Sequence, residues 1–265
     1  MLWLAIFFLV PMGFLGYQSL QSGLFPHFQF TWAFSNFSSA LSGYHTQLIR
    51  SFVYAGIATV ACLVLAYPLV YWIAFRAGPW RNLFLLIIVA PFFVTYLVRT
   101  LAWLNILADE GPVVRILRDI HVLGSDGRLL ATTFSVVAGI TYNFFPFMAL
   151  PLYVSLEQID ARLLEAAKDL YSSPTQAFLR VTLPLSAPGI VAGTLLTFIP
   201  AAGDFINAAL LGTPNQAMIG NVIQAKFLES LDYPTAASLS FILMGTILIA
   251  LLVYARIVGP EKLTG

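Results

Sequence analysis

The sequence predicts an all-α, polytopic membrane protein with six transmembrane helices and one long cytoplasmic helical loop, and three observations carry that prediction. Charged residues make up 9% of the 265 residues and apolar residues 59%, whereas ordinary soluble domains are about 25% charged; so few charges cannot cover a water-facing surface. Six stretches are long and apolar enough to cross a hydrocarbon layer of about 30 Å, which takes about 20 residues at 1.5 Å each. Strict period-two alternation is missing along the chain, which argues against an outer-membrane barrel. Residues 1–265 are therefore read as a single transmembrane domain, with residues 155–188 as a cytoplasmic loop within it.

The first span is expected at Leu2–Leu20. It lacks the basic n-region and small-x-small cleavage site of a signal peptide, so it is read as retained. With only Met1 before it, the chain is expected to start without a cytoplasmic extension. The second and third spans are expected at Phe52–Phe75 and Leu83–Leu107, and Cys62, inside the second, is read as a small buried or lipid-facing side chain. Asp109-Glu110-Gly111-Pro112 then starts a short helix on the outer face, with Val113, Ile116, Leu117 and Ile120 on its apolar stripe and Arg115, Arg118 and Asp119 opposite. The fourth span is expected at Thr133–Val154, the fifth at Gly189–Leu211 and the sixth at Ala236–Ile257. Before the sixth, Met218, Ile219, Val222 and Ile223 mark a second outer helix near Asn215–Leu231. Prolines inside spans, among them Pro91, Pro146, Pro151 and Pro200, suggest kinked helices around a protein interior.

Six spans put both termini on one side, and lysine and arginine favour the cytoplasm. With the termini inside, Arg76, Arg81, Arg162, Lys168, Arg180, Arg256 and Lys262 lie within, against Arg50, Arg115, Arg118, Arg128 and Lys226 outside. The short Arg76–Arg81 turn has no compensating acid of its own. A net charge of +1 without like-charge blocks excludes a nucleic-acid-binding face. A single cysteine excludes an intrachain disulfide and a cysteine metal cluster.

The loop Ser155–Pro188 is the most informative segment. From Glu157 to Leu170 it has strong helix formers with Ile159, Leu163, Leu164, Ala167 and Leu170 on one side. Ser173 can cap the next helix, Pro174 suits its first turn, and Gln176 completes a Ser-x-x-Gln capping box, with Pro184 and Pro188 ending it. Glu165-Ala166-Ala167, followed at sixteen residues by Leu183-Pro184, resembles the EAA loop of permease subunits of binding-protein-dependent ABC importers, whose short helix docks in a groove of the ATPase. The resemblance implies a cytoplasmic loop in which Glu165, Ala166, Ala167, Lys168 and Asp169 belong to the coupling helix and Leu183-Pro184 closes the motif. Where that family has glycine at the turn this chain has Tyr171, so the turn must differ in geometry or tolerate the steric cost of a side chain at positive φ.

Pro184 to Gly193, Phe198-Ile199-Pro200-Ala201-Ala202-Gly203-Asp204-Phe205 and Met218-Ile219-Gly220-Asn221 resemble the spermidine/putrescine-type branch, in the first of its two permease subunits. The resemblance implies a sister permease, two copies of a cytoplasmic ABC ATPase, an extracytoplasmic substrate-binding protein and an inner-membrane location. It implies no catalytic residue, metal or cofactor in this chain, with ATP and Mg on the ATPase. The sequence agrees in lacking a Gly-x-x-x-x-Gly-Lys-Ser/Thr loop. Permeases for iron, opine or phosphonate-type solutes, and a stand-alone channel or secondary carrier, are the alternatives; an intramembrane protease lacks its acid or serine–histidine pair.

Ionisable residues within spans are costly and are functional candidates for that reason. Asp204 in the fifth span is read either as lining a path for a cation or as a structural group, paired with Arg99 or bonded at a helix end. Tyr96, Trp103, Tyr142 and Phe205 are candidate aromatic neighbours, and Asn143 and Asn207 are further polar residues of the interior. Arg99, near the outer boundary of the third span, is expected to snorkel to water.

Overall fold

The computed structural model describes residues 3, 5–124 and 126–258. The first apolar helix, α1 (Val10–Ser19), is entered through a π turn at Ala5–Leu9. A short antiparallel hairpin follows, β1 (Gln21–Leu24) and β2 (His27–Phe30), a small addition to an otherwise helical fold that keeps the expected class. Next come α2 (Ser35–Arg76), α3 (Arg81–Val89), α4 (Tyr96–Leu107), α5 (Pro112–Asp119) and α6 (Thr133–Glu157). The long loop after α6 contributes α7 (Ala161–Asp169) and α8 (Pro174–Leu185). The chain ends in α9 (Ala187–Ala202), α10 (Ile206–Leu211), α11 (Ile219–Gln224) and α12 (Tyr233–Val258).

Among the described residues, α2, α6 and α12 are unbroken helices long and apolar enough to cross a membrane. The third span is not the single rod expected over Leu83–Leu107. It consists of two helical pieces, Gly78–Phe93 and Tyr96–Asp119, bent by 97°, because Pro91 closes the first piece in a 3-10 turn and Val94 and Thr95 are extended. The fifth is likewise interrupted: α9 stops at Ala202, three residues are non-helical, and α10 resumes at Ile206. Helix α2 begins well outside the expected Phe52, because Ala40 and Leu48 bury against Ile219 of α11 and Leu239 of α12.

The interior is built on α2, α6 and α9. At the inner end Cys62, Ala66, Val70 and Ile73 of α2 pack on Met148, Leu152 and Leu156 of α6. At the outer end Tyr54, Ala55 and Ala58 meet Val136 and Ile140 of α6, Ala201 and Ala202 of α9, and Leu211. Cys62 is fully buried and its thiol donates to the Thr141 carbonyl at 3.3 Å. In lipid, helices gain by close packing of small residues rather than by hiding from water, and two glycines of α9 show how close the approach is. A Cβ on Gly189 would stand 2.5 Å from Ser155 Cβ and 2.8 Å from the Pro151 carbonyl oxygen, and one on Gly193 would stand 2.8 Å from Met148 Sδ.

The outer helices follow the sequence in part. Met218 and Ile219 are fully buried, with Val222 and Ile223 packed beside Ile219. On α5, however, Val114 is the buried residue while Ile116 and Ile120 are exposed, so the inward face is rotated from the expected one. The reason is Arg118, whose guanidinium turns inward and donates to the carbonyls of Asp109 at 2.9 Å and Gly127 at 3.1 Å, closing the loop. Lys226 pairs with Asp232 at 3.2 Å. Partial burial works against its charge, but the Asp232 carboxylate and the Tyr44 hydroxyl outweigh this and hold the ammonium above the usual lysine range.

Replacing Gly189 by valine should cost about 1–3 kcal/mol through overpacking against α6. A fall of several degrees in the melting temperature of the detergent-purified protein is expected, against little change for Gly43→Ala, whose added Cβ meets nothing within 4 Å.

Candidate functional site

Two groups of side chains stand apart from plain packing, one in the long loop between α6 and α9 and one where the fifth span is interrupted. Helix α7 does not begin at Glu157, as the run of helix formers suggested. Glu157 ends α6, and its carboxylate meets Arg81 at 2.9 Å, so the Arg76–Arg81 turn has its acid after all, supplied from another helix. Half-exposed, this pair contributes at most about 1 kcal/mol. Ile159 is buried in the inner core, and Asp160 starts α7 by accepting from the Arg162 amide at 2.9 Å.

Within α7, Ala167 faces inward at 8% exposure while Glu165, Ala166 and Asp169 are exposed; the side chain of Lys168 lies outside the described residues. The helix ends at Tyr171, which takes φ +55°. The Ser172 amide donates to the Ala167 carbonyl at 3.1 Å, the long-range bond of a Schellman cap whose left-handed residue is usually glycine. Of the two alternatives at this turn, the left-handed geometry is kept and tyrosine bears its backbone cost, about 1–2 kcal/mol. Its side chain is 98% exposed and Leu170 79%. The predicted capping box is present: Ser173 Oγ accepts from the Gln176 amide at 3.3 Å and Gln176 Oε1 from the Ser173 amide at 3.2 Å.

The loop is keyed into the membrane-spanning helices. Phe178 of α8 sits edge-on to Tyr67 and Tyr71 of α2, with centroids 5.4 and 6.0 Å away. Tyr67 also shares a hydrogen bond of 2.7 Å with Ser186, whose hydroxyl donates to the Leu183 carbonyl at 3.1 Å, immediately before α9. Leu183 is half-buried and Pro184 exposed. Between the end of α2 and the loop lies a cleft of about 370 Å³, lined by Tyr71, Phe75 and Arg76 on one side and Leu164, Glu165 and Pro174 on the other.

The second group is a buried polar cluster. Asp204 is 6% exposed. Its Oδ1 accepts from the Tyr96 hydroxyl at 3.0 Å and from the Ile206 amide at 3.1 Å, and its Oδ2 accepts from Asn207 Nδ2 at 2.7 Å. The same Asn207 amide donates to the Tyr96 oxygen at 2.5 Å, and its Oδ1 accepts from Asn143 Nδ2 at 3.2 Å. Asn143 also donates to the Thr100 hydroxyl at 3.2 Å. Four residues singled out in the sequence, Tyr96, Asn143, Asp204 and Asn207, thus come together from α4, α6 and the α9–α10 break. Thr100 completes the cluster and was missed; its position one helical turn after Tyr96 is the signal that could have found it. Gly139, one turn before Asn143, leaves the room, since a Cβ there would stand 2.5 Å from Asn207 Oδ1.

The other candidates lie apart. Trp103 and Tyr142 pack on each other with centroids 5.5 Å apart and line an apolar cavity of about 410 Å³ with Leu65, Phe134 and Phe145. Phe205 is 38% exposed, and its carbonyl accepts from Asn221 Nδ2 at 2.7 Å. Arg99 does not reach water: it is 8% exposed, because the bend in the third span turns α4 so that the guanidinium lies 4.9 Å over the Phe92 ring and 5.6 Å over Tyr96. It makes no ion pair with Asp204 among the described residues. Tyr96 therefore touches both charges, by its hydroxyl and by its ring.

Residues 40–258 match the family described as binding-protein-dependent transport system inner membrane component. The chain is 36% identical to the spermidine/putrescine transport system permease protein PotB of Haemophilus influenzae over 254 residues, 95% of this chain and 88% of that protein. It is also 36% identical to PotB of Escherichia coli over 256 residues, 96% of this chain and 93% of the relative. The inner membrane ABC transporter permease protein YdcU of Escherichia coli is 34% identical over 77% of this chain and 68% of its own length. Among solved structures, a bacterial alginate ABC transporter in complex with its alginate pentasaccharide-bound periplasmic protein aligns over 100% of this chain and 92% of that one, with a TM-score of 0.79 at 17% identity. A bacterial ABC transporter involved in alginate import aligns with a TM-score of 0.72 at 18% identity, over 100% and 93% of the two chains. These likenesses carry the fold.

Replacing Asn207 by alanine takes away the side-chain donor of Asp204 Oδ2 and one of the two acceptors of the Asn143 amide, which keeps Thr100, at about 1–3 kcal/mol for the stranded carboxylate oxygen. It should lower the melting temperature more than Asn215→Ala, on the exposed outer turn, does. Replacing Tyr171 by glycine should return about 1 kcal/mol of backbone strain; slower hydrogen exchange across residues 161–172, with the spans unchanged, is the expected readout.

Proposed function

The chain belongs to the family of binding-protein-dependent transport system inner membrane components, and from that premise we propose that it moves a polyamine such as spermidine or putrescine inward by alternating access, paired with a sister permease. The observation that carries the substrate class is the 36% identity to spermidine/putrescine permeases over 95% and 96% of the chain, which spans the cytoplasmic loop and the polar cluster together. In this reading the chain is a transport subunit, and ATP with Mg is hydrolysed on two copies of a separate cytoplasmic ABC ATPase. An extracytoplasmic binding protein delivers the solute on the opposite face, as the periplasmic protein of the alginate transporter suggests. The loop and both termini are then cytoplasmic.

The geometry supports a division of labour. Exposed Glu165 and Ala166 on α7 offer a short helical surface with small side chains, open to a docking ATPase. The neighbouring Tyr67–Phe178 and Tyr67–Ser186 contacts would carry its displacement into α2 and α9. At the other end, Asp204 is the anionic group and Tyr96 the ring that an ammonium could use in the path. Both carboxylate oxygens of Asp204 already accept from internal donors, so a passing ammonium would compete with the Tyr96 hydroxyl and the Asn207 amide for them. That exchange gives the closed and open cluster different affinities for the solute, and only a differential affinity lets a ligand shift a conformational equilibrium.

In proteoliposomes holding the assembled transporter, spermidine- or putrescine-loaded binding protein should stimulate ATP hydrolysis, and absence of any response overturns the polyamine assignment. Glu165→Ala should reduce ATP-driven uptake at least tenfold with the complex still assembled. Asp204→Asn should reduce polyamine uptake by a similar factor; unchanged uptake would remove Asp204 from the path.

A further inference from the structure

The connection between α1 and α2 carries a surface to which the proposed function assigns no role. Arg50 is the first charged residue of the sequence, so the hairpin and its flanks carry no aspartate, glutamate, lysine or arginine. They carry aromatic rings instead. Tyr17 stacks on Phe30 at 5.0 Å with the planes 2° apart, Phe30 meets Trp32 edge-on at 5.0 Å, and Trp32 lies near-parallel to Phe34 at 6.1 Å. Trp32 and Phe34 are 63% and 64% exposed, and Trp32 takes φ +52°, a backbone conformation that L residues adopt only at a cost. The ladder is continuous with the exposed apolar surface of α1, where Val10 is 63% and Phe14 60% exposed.

The hairpin is also two-faced. Strand alternation puts Phe28 and Phe30 on one side and His27 and Gln29 on the other. Phe28 leans on Tyr233 at the start of α12, with centroids 5.6 Å apart, while Phe30 leans on Tyr17 at the end of α1. Asn36 Nδ2 donates to the carbonyls of Ser19 at 2.9 Å and Gln21 at 2.8 Å, fixing the hairpin to both flanking helices. An uncharged, amphipathic element with exposed rings, held rigidly at the end of an apolar helix, has the chemistry of the boundary between acyl chains and headgroups, where aromatic rings sit with one side dry and one wet.

We propose that this hairpin with Trp32 and Phe34 is a membrane-interface anchor: its aromatic ladder lies in the phospholipid of the outer leaflet and sets the depth of the first helix. A soluble partner would find no charge here for the polar rim that protein interfaces carry. The occupant is therefore lipid, and the outer surface near α11 is left for proteins.

The test places p-benzoylphenylalanine at Phe34, and separately at Phe25 on the hairpin tip, in cells making the complete transporter. Phe14 on α1 serves as the lipid-facing reference. Illumination should give phospholipid adducts at Phe34 within about twofold of the yield at Phe14, detected by the mass of the cross-linked peptide. A cross-link from Phe34 to the sister permease or to the external binding protein overturns the proposal, and so does the lack of any adduct at both hairpin positions while Phe14 is labelled.

Discussion

A helix interrupted inside hydrocarbon must find new partners for the backbone groups it frees, since no water is there to take them. The arrangement around Gly203, Asp204 and Phe205 is the answer to that constraint. Asp204 accepts from the Ile206 amide at the start of α10, Asn221 donates to the Phe205 carbonyl, and Gly220 lies so close that a Cβ would stand 2.6 Å from the Gly203 oxygen. Burying a carboxylate is expensive unless its lone pairs are met, so Tyr96 and Asn207 are required as soon as Asp204 is. Asn143 and Thr100 are then required by Asn207. One break in one helix thereby fixes the facing side chains of two others.

The same constraint explains what was legible in the sequence. The six apolar stretches, the Ser173–Gln176 capping box and the strained turn at Tyr171 depend on local composition or on neighbours within a few residues, and the sequence states those directly. The breaks do not read out so simply. Pro91 and Pro200 mark both interrupted spans, but Pro146 and Pro151 stand in α6, which continues past them; whether a proline ends a helix depends on what takes the freed carbonyl. Arg99 departs from its sequence pattern for a related reason. Snorkelling assumes a straight third span, and the bend at Val94 and Thr95 turns the side chain inward. Arg118 departs because its partners, the carbonyls of Asp109 and Gly127, become neighbours only once the loop folds back. The hairpin escaped notice because its four-residue strands are too short for a period to register, and its rings read as part of an apolar flank.

The two candidate sites differ as their tasks would require. The loop carries its apolar Leu170 and Tyr171 in the open and holds Tyr171 at positive φ, as a docking surface of the proposed kind would. The cluster hides its polar atoms and satisfies nearly all of them. Three side-chain atoms of this region stay unmatched among the described residues, Asn143 Oδ1 and the Arg99 Nε and Nη1, all buried without a hydrogen-bond partner. Cation–π contact with Phe92 and Tyr96 compensates Arg99 in part, which makes Tyr96 the residue on which both charges rely.

What joins the sites is α9. Its 16 residues span about 24 Å, from the Ser186 hinge beside Tyr67 to the break at Gly203. Its glycines press it so tightly against α6 that a sliding motion between the two would open voids or collide with Met148 and Ser155. A displacement of the loop therefore cannot be absorbed along α9; it has to move α6 as well or be released where α9 ends. The non-helical element at that end is the three-residue break held by Asp204. A push from the loop that is released there, rather than passed on to α6, would therefore have to rearrange the hydrogen bonds that close the polar cluster.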